Sequence, residues 1–473
     1  MTPYRWTIRD VLQATGGSLV SGTDGQEFAG IDIDSRTIGP DRIFAAIAGE
    51  NHDGHRFVAD VLAQGGQGFV VAEGQAADLP LDRMRASGAA CVTVADTTMA
   101  LGDLARFNRN RGPLKVLAIT GSNGKTSTRM LTEQVVSEKY ATLGTRGNLN
   151  NHIGLPLTLL RRAPQHEAAV VELGMNHPGE ITCLGEICQP DVGIITNVAP
   201  AHLEGLGTVD NVAAAKGELL ATIRSGGTAV LNADDVRVAA LADACACPVL
   251  FFGTGDRAGI RAENIRPDSL GLVFTLVTPS GEIDIRLATP MKAMVANALA
   301  AASAGEVLNV SLDRIKAGLE AFSPGAGRMA IRELEGGIRL LDDTYNANPG
   351  SMAAAIETLA AMGADGRTHA VLGDMLELGD LSHALHRKIG RAVGEAGIDR
   401  LYAAGRFAFE VAEGAREGRM TDDRIFVGTK AEIIEQLGEE LRAGDQILVK
   451  GSRGMAMEEV AEEIIRWTTE GTR

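Results

Sequence analysis

A glycine, a lysine and a threonine in succession, Gly124-Lys125-Thr126, are the residues of this chain best suited to chemistry on a phosphate. Lys125 supplies a point charge and Thr126 a hydroxyl suited to magnesium, the pairing by which a P-loop holds a nucleotide. Gly121 and Gly124 permit backbone angles that turn the N–H groups of the loop, through Ser122 and Asn123, into one concavity. Only those two residues separate Gly121 from Gly124-Lys125, a shorter spacing than the common P-loop has. A solvated lysine in a glycine-rich turn would account for the triplet alone. The strand before it and the helix after it make nucleotide binding the better reading.

The elements that must position the turn are legible around it. Val116 to Ile119 is an apolar run of the kind found in interior parallel strands, and Met130, Leu131, Val135 and Val136 recur at helical spacing. The new helix therefore presents its positive end to the loop. Further strands are expected at 168–173, 192–197, 228–233 and 248–253, alternating with helices as in a parallel sheet covered on both faces. Ligands of such sheets gather at the carboxyl ends of the strands.

Glu172 ends one of those runs behind apolar residues, where a carboxylate needs a cation or a proton. Asn197 ends the next, and His202 and Glu204 follow in its loop, where a histidine suits metal ligation or phosphate contact. Lys216 breaks the local pattern most clearly, because it falls on the apolar stripe of Val209, Val212, Leu219, Leu220 and Ile223. A lysine there snorkels, pairs with a carboxylate or loses its charge. A neutral amine can also take up carbon dioxide, becoming an anionic carbamate able to hold magnesium.

At 473 residues the chain exceeds a single core and points to about three domains. The 57 glycines and few aromatic residues suit the tight strand–helix turns of an α/β protein. The expected division is a small mixed N-terminal domain over 1–97, a central P-loop domain with a parallel sheet and a β-rich insert over 98–323, and a C-terminal Rossmann-like domain over 324–473. Helices are expected at Ile8–Thr15 and Thr97–Asn110. The insert shows a hairpin around Pro279-Ser280-Gly281, a strong helix follows within 291–310, and SPGAGR (323–328) reads as a linker. Strands at 338–345, 368–375, 400–405, 424–428 and 446–452 are expected to form a second, separate parallel sheet. A formal net charge of −16 disfavours nucleic acid and anionic membranes, so the expected polyanion is a small nucleotide held by local cations. Five cysteines without zinc spacing, no apolar leader core and no bilayer-length apolar run give the expectation of a cytoplasmic protein with reduced thiols and no membrane insertion; three mobile domains suit a monomer.

With these residues in view, the chain resembles the Mur ligases over nearly its whole length. The resemblance is carried by TGSNGKTSTRM (120–130), GNLNNHIGLPLTLL (147–160), VELGMNHPGEI (171–181), TNVAPAHLEGLG (196–207), AKGEL (215–219), LNADD (231–235), DDTYNANPGSM (342–352), VLGDMLELGDLSHALH (371–386) and VKGSRGMAMEE (449–459). The forms GNLNNHIGLP and DDTYNANP favour members that add a dipeptide over those that add single amino acids. The resemblance implies an ADP-forming amide ligase of peptidoglycan synthesis, with a UDP-binding first domain. ATP would phosphorylate the terminal carboxylate of UDP-N-acetylmuramoyl-tripeptide, and the amine of D-Ala-D-Ala would displace phosphate from the acyl phosphate.

The roles it implies fall on named positions. Lys125 and the loop, with Ser127 where the family usually has threonine, would steady the phosphates of ATP. Thr126 and Glu172 would hold one Mg2+, and Glu172, His202 and carbamylated Lys216 a second. Asn297 would face adenine, and Arg328 and Asp343 would touch γ-phosphate and ribose. Asp34, Ser35 and Arg36 resemble the uridine-nucleotide site, although on its own such a triplet reads as a turn with a surface ion pair. Asn148, Asn150 and Asn151 resemble the loop facing the muramoyl group, and Asn346, Asn348 and Arg453 would lie near the dipeptide or the peptide terminus. Gly325 and Gly327 are the expected hinges between an open and a closed form. One departure is Met291 and Ala293, which stand where the family usually has Gly-x-His before the asparagine. The rival readings are a folylpolyglutamate-type or cyanophycin-type ligase, and a catalytically silent nucleotide-binding scaffold.

Overall fold

A computed structural model describes residues 1–49, 52–268, 271–362 and 366–470. A two-stranded ribbon, Trp6–Thr7 against Glu27–Phe28, opens the chain, and helix Ile8–Thr15 follows where expected. Thr7 and Asp10 cap it reciprocally, and Gly16, at φ 65°, ends it in the left-handed region that favours glycine. A five-stranded sheet follows in the order Ser18–Ser21, Ala90–Val94, Gly68–Ala72, Arg42–Ala45 and Gly30–Asp32, with only the first strand antiparallel to its neighbour. Helix Thr97–Arg109, capped by Asp96 onto the N–H groups of Thr98 and Met99, leads into the next sheet.

That next sheet has nine strands, beginning at one edge with Thr142–Gly144, which pairs with Ala168–Glu172. Lys115–Thr120 lies in its interior between Ala168–Glu172 and Val192–Ile195, parallel to both. The sheet then runs through Thr228–Asn232 and Val249–Gly253 into three further strands, Ile260–Asp268, Gly271–Thr278 and Gly281–Leu287. The last two form the expected hairpin. Ile260–Asp268 was not expected as a strand, because most of its side chains are exposed and polar, and its pairing with Gly271–Thr278 is broken by a register shift between Glu263 and Arg266. It joins the hairpin to the central sheet, so the insert prolongs that sheet.

The third sheet has six strands, in the order Ala330–Glu333, Arg339–Asp343, Gln446–Lys450, Thr368–Leu372, Arg400–Ala403 and Ile425–Val427. All pairs are parallel except the first. Ala330–Glu333 is a second strand that sequence pattern did not reveal, since it is short, largely exposed and lies at the edge.

The apolar side chains form separate clusters on the two faces of the third sheet. A larger cluster is continuous from Trp6, Ile43 and Val92 of the first sheet region through Leu104 to Val116, Val171 and Leu219 of the central one. The buried Arg162 guanidinium reinforces that junction, donating to the carbonyls of Asn108 (2.8 Å), Arg109 (2.7 Å), Gly112 (3.1 Å) and Pro113 (3.0 Å) at the end of helix Thr97–Arg109. Its own carbonyl accepts from the N–H of Tyr4 at 3.3 Å.

Candidate active site

The phosphate-loop residues lie at the carboxyl end of strand Lys115–Thr120 and run into helix Lys125–Ser137. Gly121 has no room for a side chain, since a Cβ there would fall 1.8 Å from Thr196 Oγ1. Gly124 sits at φ 77°, and its Cβ would fall 2.3 Å from Asn297 Oδ1. Two glycines are thus required by a neighbour's approach as well as by the turn.

Loop 196–199 holds this turn in place. Ser122 N–H donates to Asn197 O at 2.9 Å, Asn123 N–H donates to Asn197 Oδ1 at 2.9 Å, and Asn123 O accepts from Thr196 Oγ1 at 2.6 Å. Ser122 Oγ donates to Ala199 O at 3.0 Å. The N–H groups of Ser122 and Asn123 are therefore occupied internally, unlike the fully open cradle expected from the sequence. The donors left for a phosphate are the opening N–H groups of the helix, which have no acceptor a turn earlier.

Glu172, 2% exposed, ends its strand beside this turn. Its carboxylate accepts from Thr126 Oγ1 at 2.8 Å and from Asn150 Nδ2 at 2.8 Å. One carboxylate thereby ties the phosphate loop to the asparagine-rich loop. Lys125 Nζ donates to Gly121 O at 2.8 Å. Burial lowers the pKa of this ammonium, Glu172 works against that, and the nearby Arg328 adds to it.

Lys216 lies within helix Val209–Thr222 and is 1% exposed. Burial, and next the repulsion of Lys125, hold its pKa well below that of an ordinary lysine. Among the described residues no carboxylate forms an ion pair with it. Of the three fates open to a lysine on an apolar stripe, loss of charge is the one this environment favours.

His202 heads the short helix Leu203–Leu206 at φ 54°. Its Nδ1 lies 2.7 Å from Oε2 of Glu377, a residue of the loop after strand Thr368–Leu372 in the third domain. That domain also reaches the phosphate loop itself, where Asn348 Nδ2 donates to Asn123 Oδ1 at 2.6 Å. Asn348 also caps helix Pro349–Ala361.

Asn297, 7% exposed, packs beside Gly124, with its amide donating to Met294 Sδ at 3.3 Å. Met291 packs against apolar clusters of both the central and the third sheets. Arg328 lies 3.9 Å over the ring of Tyr345, just beyond Gly327 at φ 68°. Asp343 is held by Lys450 at 2.5 Å, and the same ammonium donates to Asn346 O at 2.9 Å. Asn346 and Arg453 are exposed; Arg453 pairs with Glu458 at 2.7 Å.

Asn151 Oδ1 accepts from Gly154 N–H at 2.9 Å at the start of helix Gly154–Leu160, and Asn148 is exposed in the preceding loop. Asp34 and Arg36 bond each other at 2.8 Å, which holds the Asp34 carboxyl down at about 2, with Ser35 in the turn between them. This group lies in the first domain, outside the cluster around the phosphate loop. Sequence reasoning missed Glu377, Tyr345 and Lys450 as partners of candidate site residues. Each falls inside a quoted motif run, but nothing in spacing reveals a contact that only the tertiary fold creates.

Among the described residues no helix is long and apolar enough to cross a membrane.

Three family models match in succession: "Mur ligase family, catalytic domain" over 27–109, "Mur ligase middle domain" over 119–305 and "Mur ligase, glutamate ligase domain" over 327–453. The UDP-N-acetylmuramoyl-tripeptide–D-alanyl-D-alanine ligase of Escherichia coli is 38% identical over 92% of this chain and 93% of its own. The ligase of the same name from Haemophilus influenzae is 35% identical over 96% of each. Among solved structures, MurF from Acinetobacter baumannii superposes with a TM-score of 0.89 at 34% identity, covering 98% of this chain and 100% of that one. MurF ligase from Thermotoga maritima in complex with ADP gives a TM-score of 0.82 at 25% identity, covering 93% of this chain and 98% of that one.

Proposed function

The chain belongs to the Mur ligase family, and we infer that it joins D-alanyl-D-alanine to UDP-N-acetylmuramoyl-tripeptide at the expense of ATP, a step of peptidoglycan synthesis. The observation that carries this reading is the hydrogen-bonded path Thr126–Glu172–Asn150, at 2.8 Å for each bond. It links the loop suited to ATP with the loop suited to the muramoyl acceptor, which supports a reading in which phosphate donor and carboxylate would meet beside Glu172.

In the reaction the terminal carboxylate of the tripeptide attacks the γ-phosphorus of ATP, the bond to ADP breaks, and an acyl phosphate forms. The amine of D-Ala-D-Ala attacks the acyl carbon and loses a proton, and the tetrahedral intermediate expels phosphate. Lys125 and the opening N–H groups of its helix would steady the β- and γ-phosphates and counter charge that builds as the γ-phosphoryl group transfers. Asn297 would face adenine, while Arg328 and Asp343 would reach γ-phosphate and ribose from the linker and the third domain. Asp34, Ser35 and Arg36 would bind the uridine nucleotide, Asn148, Asn150 and Asn151 the muramoyl part, and Asn346, Asn348 and Arg453 the incoming dipeptide or peptide terminus.

The donor set fits magnesium. Thr126 and Glu172 offer hard oxygen atoms within 2.8 Å of each other, with the second carboxylate oxygen anchored by Asn150. Bound there, magnesium would neutralise the phosphate charge that otherwise repels the substrate carboxylate. For a second ion the set is Glu172, His202 and Lys216. Among the described residues no three His, Cys, Asp or Glu side chains are grouped closely enough to hold a metal by themselves. A carbamate on Lys216 would supply the missing anion. Carbon dioxide adding to the neutral amine forms an N–C bond and releases one proton. It would also replace the repulsion between Lys216 and Lys125 with attraction. We assign the protein to the cytoplasm, acting as a monomer.

Phosphate release from ATP and magnesium with UDP-N-acetylmuramoyl-tripeptide tests the reading, comparing D-Ala-D-Ala with D-Ala, L-Lys, D-Glu and no acceptor. Release with the dipeptide alone, and a UDP-linked pentapeptide by mass, is expected. Release with another acceptor would move the chain to a sister ligase, and none with intact ATP binding would leave a scaffold.

A further inference from the structure

Glu377 has no part in the reaction as derived above, yet it enters the site from another domain. Its Oε2 lies 2.7 Å from His202 Nδ1, and its carbonyl accepts from Glu204 N–H at 3.4 Å. The two backbones approach closely, with a Cβ on Gly379 falling 3.8 Å from Glu204 Cα. Both His202, at φ 54°, and Glu377, at φ 63°, hold left-handed conformations that residues other than glycine seldom adopt. Two such residues joined side chain to side chain across a domain boundary make an arrangement that local sequence preference does not favour, which argues for a use.

The geometry points to Glu377 as a positioning residue for His202: a carboxylate carried by the third domain that accepts a hydrogen bond from Nδ1–H of the imidazole and so fixes its tautomer. Nδ1–H given to a carboxylate leaves Nε2 as the lone-pair nitrogen and makes it a stronger donor toward a cation. His202 stands on the central domain and Glu377 on the third. The imidazole is therefore oriented only while the third domain rests on the phosphate-loop face, where Asn348 also meets Asn123. Domain closure and completion of the cation site become one event. A plain surface clasp would hold the domains together without any effect on what His202 binds.

This inference rests on the ligase reading, and its test separates the two. Binding of Mn2+, a spectroscopic stand-in for magnesium, is measured by electron paramagnetic resonance in the presence of ADP for the wild type, E377Q, E377A, H202A and the E377A/H202A double variant. Phosphate release and thermal unfolding are followed alongside. E377A is expected to weaken Mn2+ binding by roughly 10- to 100-fold, and E377Q by less, because its amide oxygen still accepts from Nδ1–H. In the H202A background E377A should add no further loss. The turnover number should fall with little change in KM for D-Ala-D-Ala. Wild-type Mn2+ affinity in both Glu377 variants, or losses that simply add in the double variant, would overturn the inference while leaving the ligase reading intact. A wild-type protein that releases no phosphate with any acceptor would overturn the ligase reading and this inference with it. E377Q keeps the test decisive if E377A does not fold.

Discussion

Replacing Lys216 with methionine should make the protein more stable and inactive. Lys216 is 1% exposed on a helix whose buried neighbours include Val212, Leu219 and Leu220, and among the described residues no carboxylate pairs with it. Burial and Lys125 already push it toward the neutral amine. The wild-type fold thus carries a buried polar group without a charge partner, worth about 1–3 kcal/mol of destabilisation. Methionine matches lysine in length and removes that group, at a packing cost of under about 1.5 kcal/mol. For a cooperative unit of this size each kcal/mol shifts the melting midpoint by roughly 2–4 °C. K216M should therefore melt a few degrees above wild type in calorimetry run without nucleotide in buffer stripped of carbon dioxide, where no carbamate can form. Phosphate release should fall by about 100-fold or more, on the scale of losing a metal's supporting group. Bicarbonate should restore stripped wild type and leave K216M unchanged. A K216M protein that melts well below wild type, or one that keeps its activity, would refute the reasoning: the lysine would then be a packing residue.

Gly124→Ala places a Cβ at φ 77° and 2.3 Å from Asn297 Oδ1; with strain of about 1–3 kcal/mol, ADP affinity by calorimetric titration should drop roughly tenfold or more while circular dichroism is unchanged. Glu172→Gln keeps the size of the side chain that joins Thr126 to Asn150 but removes its charge, so half-saturating magnesium should rise and phosphate release should fall by about 100-fold; an unaltered magnesium dependence would take Glu172 out of the site. Asp445 is a buried carboxylate accepting from Arg367 N–H at 2.8 Å, Arg442 N–H at 2.9 Å and His369 Nε2 at 2.9 Å. Burial raises its pKa, but these bonds and the His369 interaction together outweigh that and leave it lowered. Its contribution is therefore present above the unfolded carboxylate range, near about pH 4, and is lost as pH falls through the lower folded pKa. Asp445→Asn should lower stability at neutral pH and flatten the acid limb of a denaturation curve.

The parts of the fold that declared themselves in sequence are those whose pattern is local and strong. The apolar run 116–119, the stripe after Lys125 and the hairpin at Pro279-Ser280-Gly281 each became the expected element. Strands Ile260–Asp268 and Ala330–Glu333 did not, because their exposed polar side chains erase the alternation that marks a half-buried strand. The oddity of Lys216 was visible because a charge on an apolar stripe is a local conflict. The internal use of the Ser122 and Asn123 N–H groups was invisible, since their acceptor stands on a loop some seventy residues away (Asn197). Glu377 was invisible for the same reason at greater distance: it meets His202 only because a loop of the third domain comes against a loop of the central one.

The shared apolar cluster beneath the first two sheets, and the Arg162 guanidinium that grips the end of helix Thr97–Arg109, have a mechanical meaning. A jaw can swing only where its bearing can turn, and this junction is seized. The first sheet and the phosphate loop are therefore tied through one continuous core, whereas the third sheet keeps apolar clusters of its own. Heating should register that division as two heat-absorption peaks, with the first and central sheets melting together.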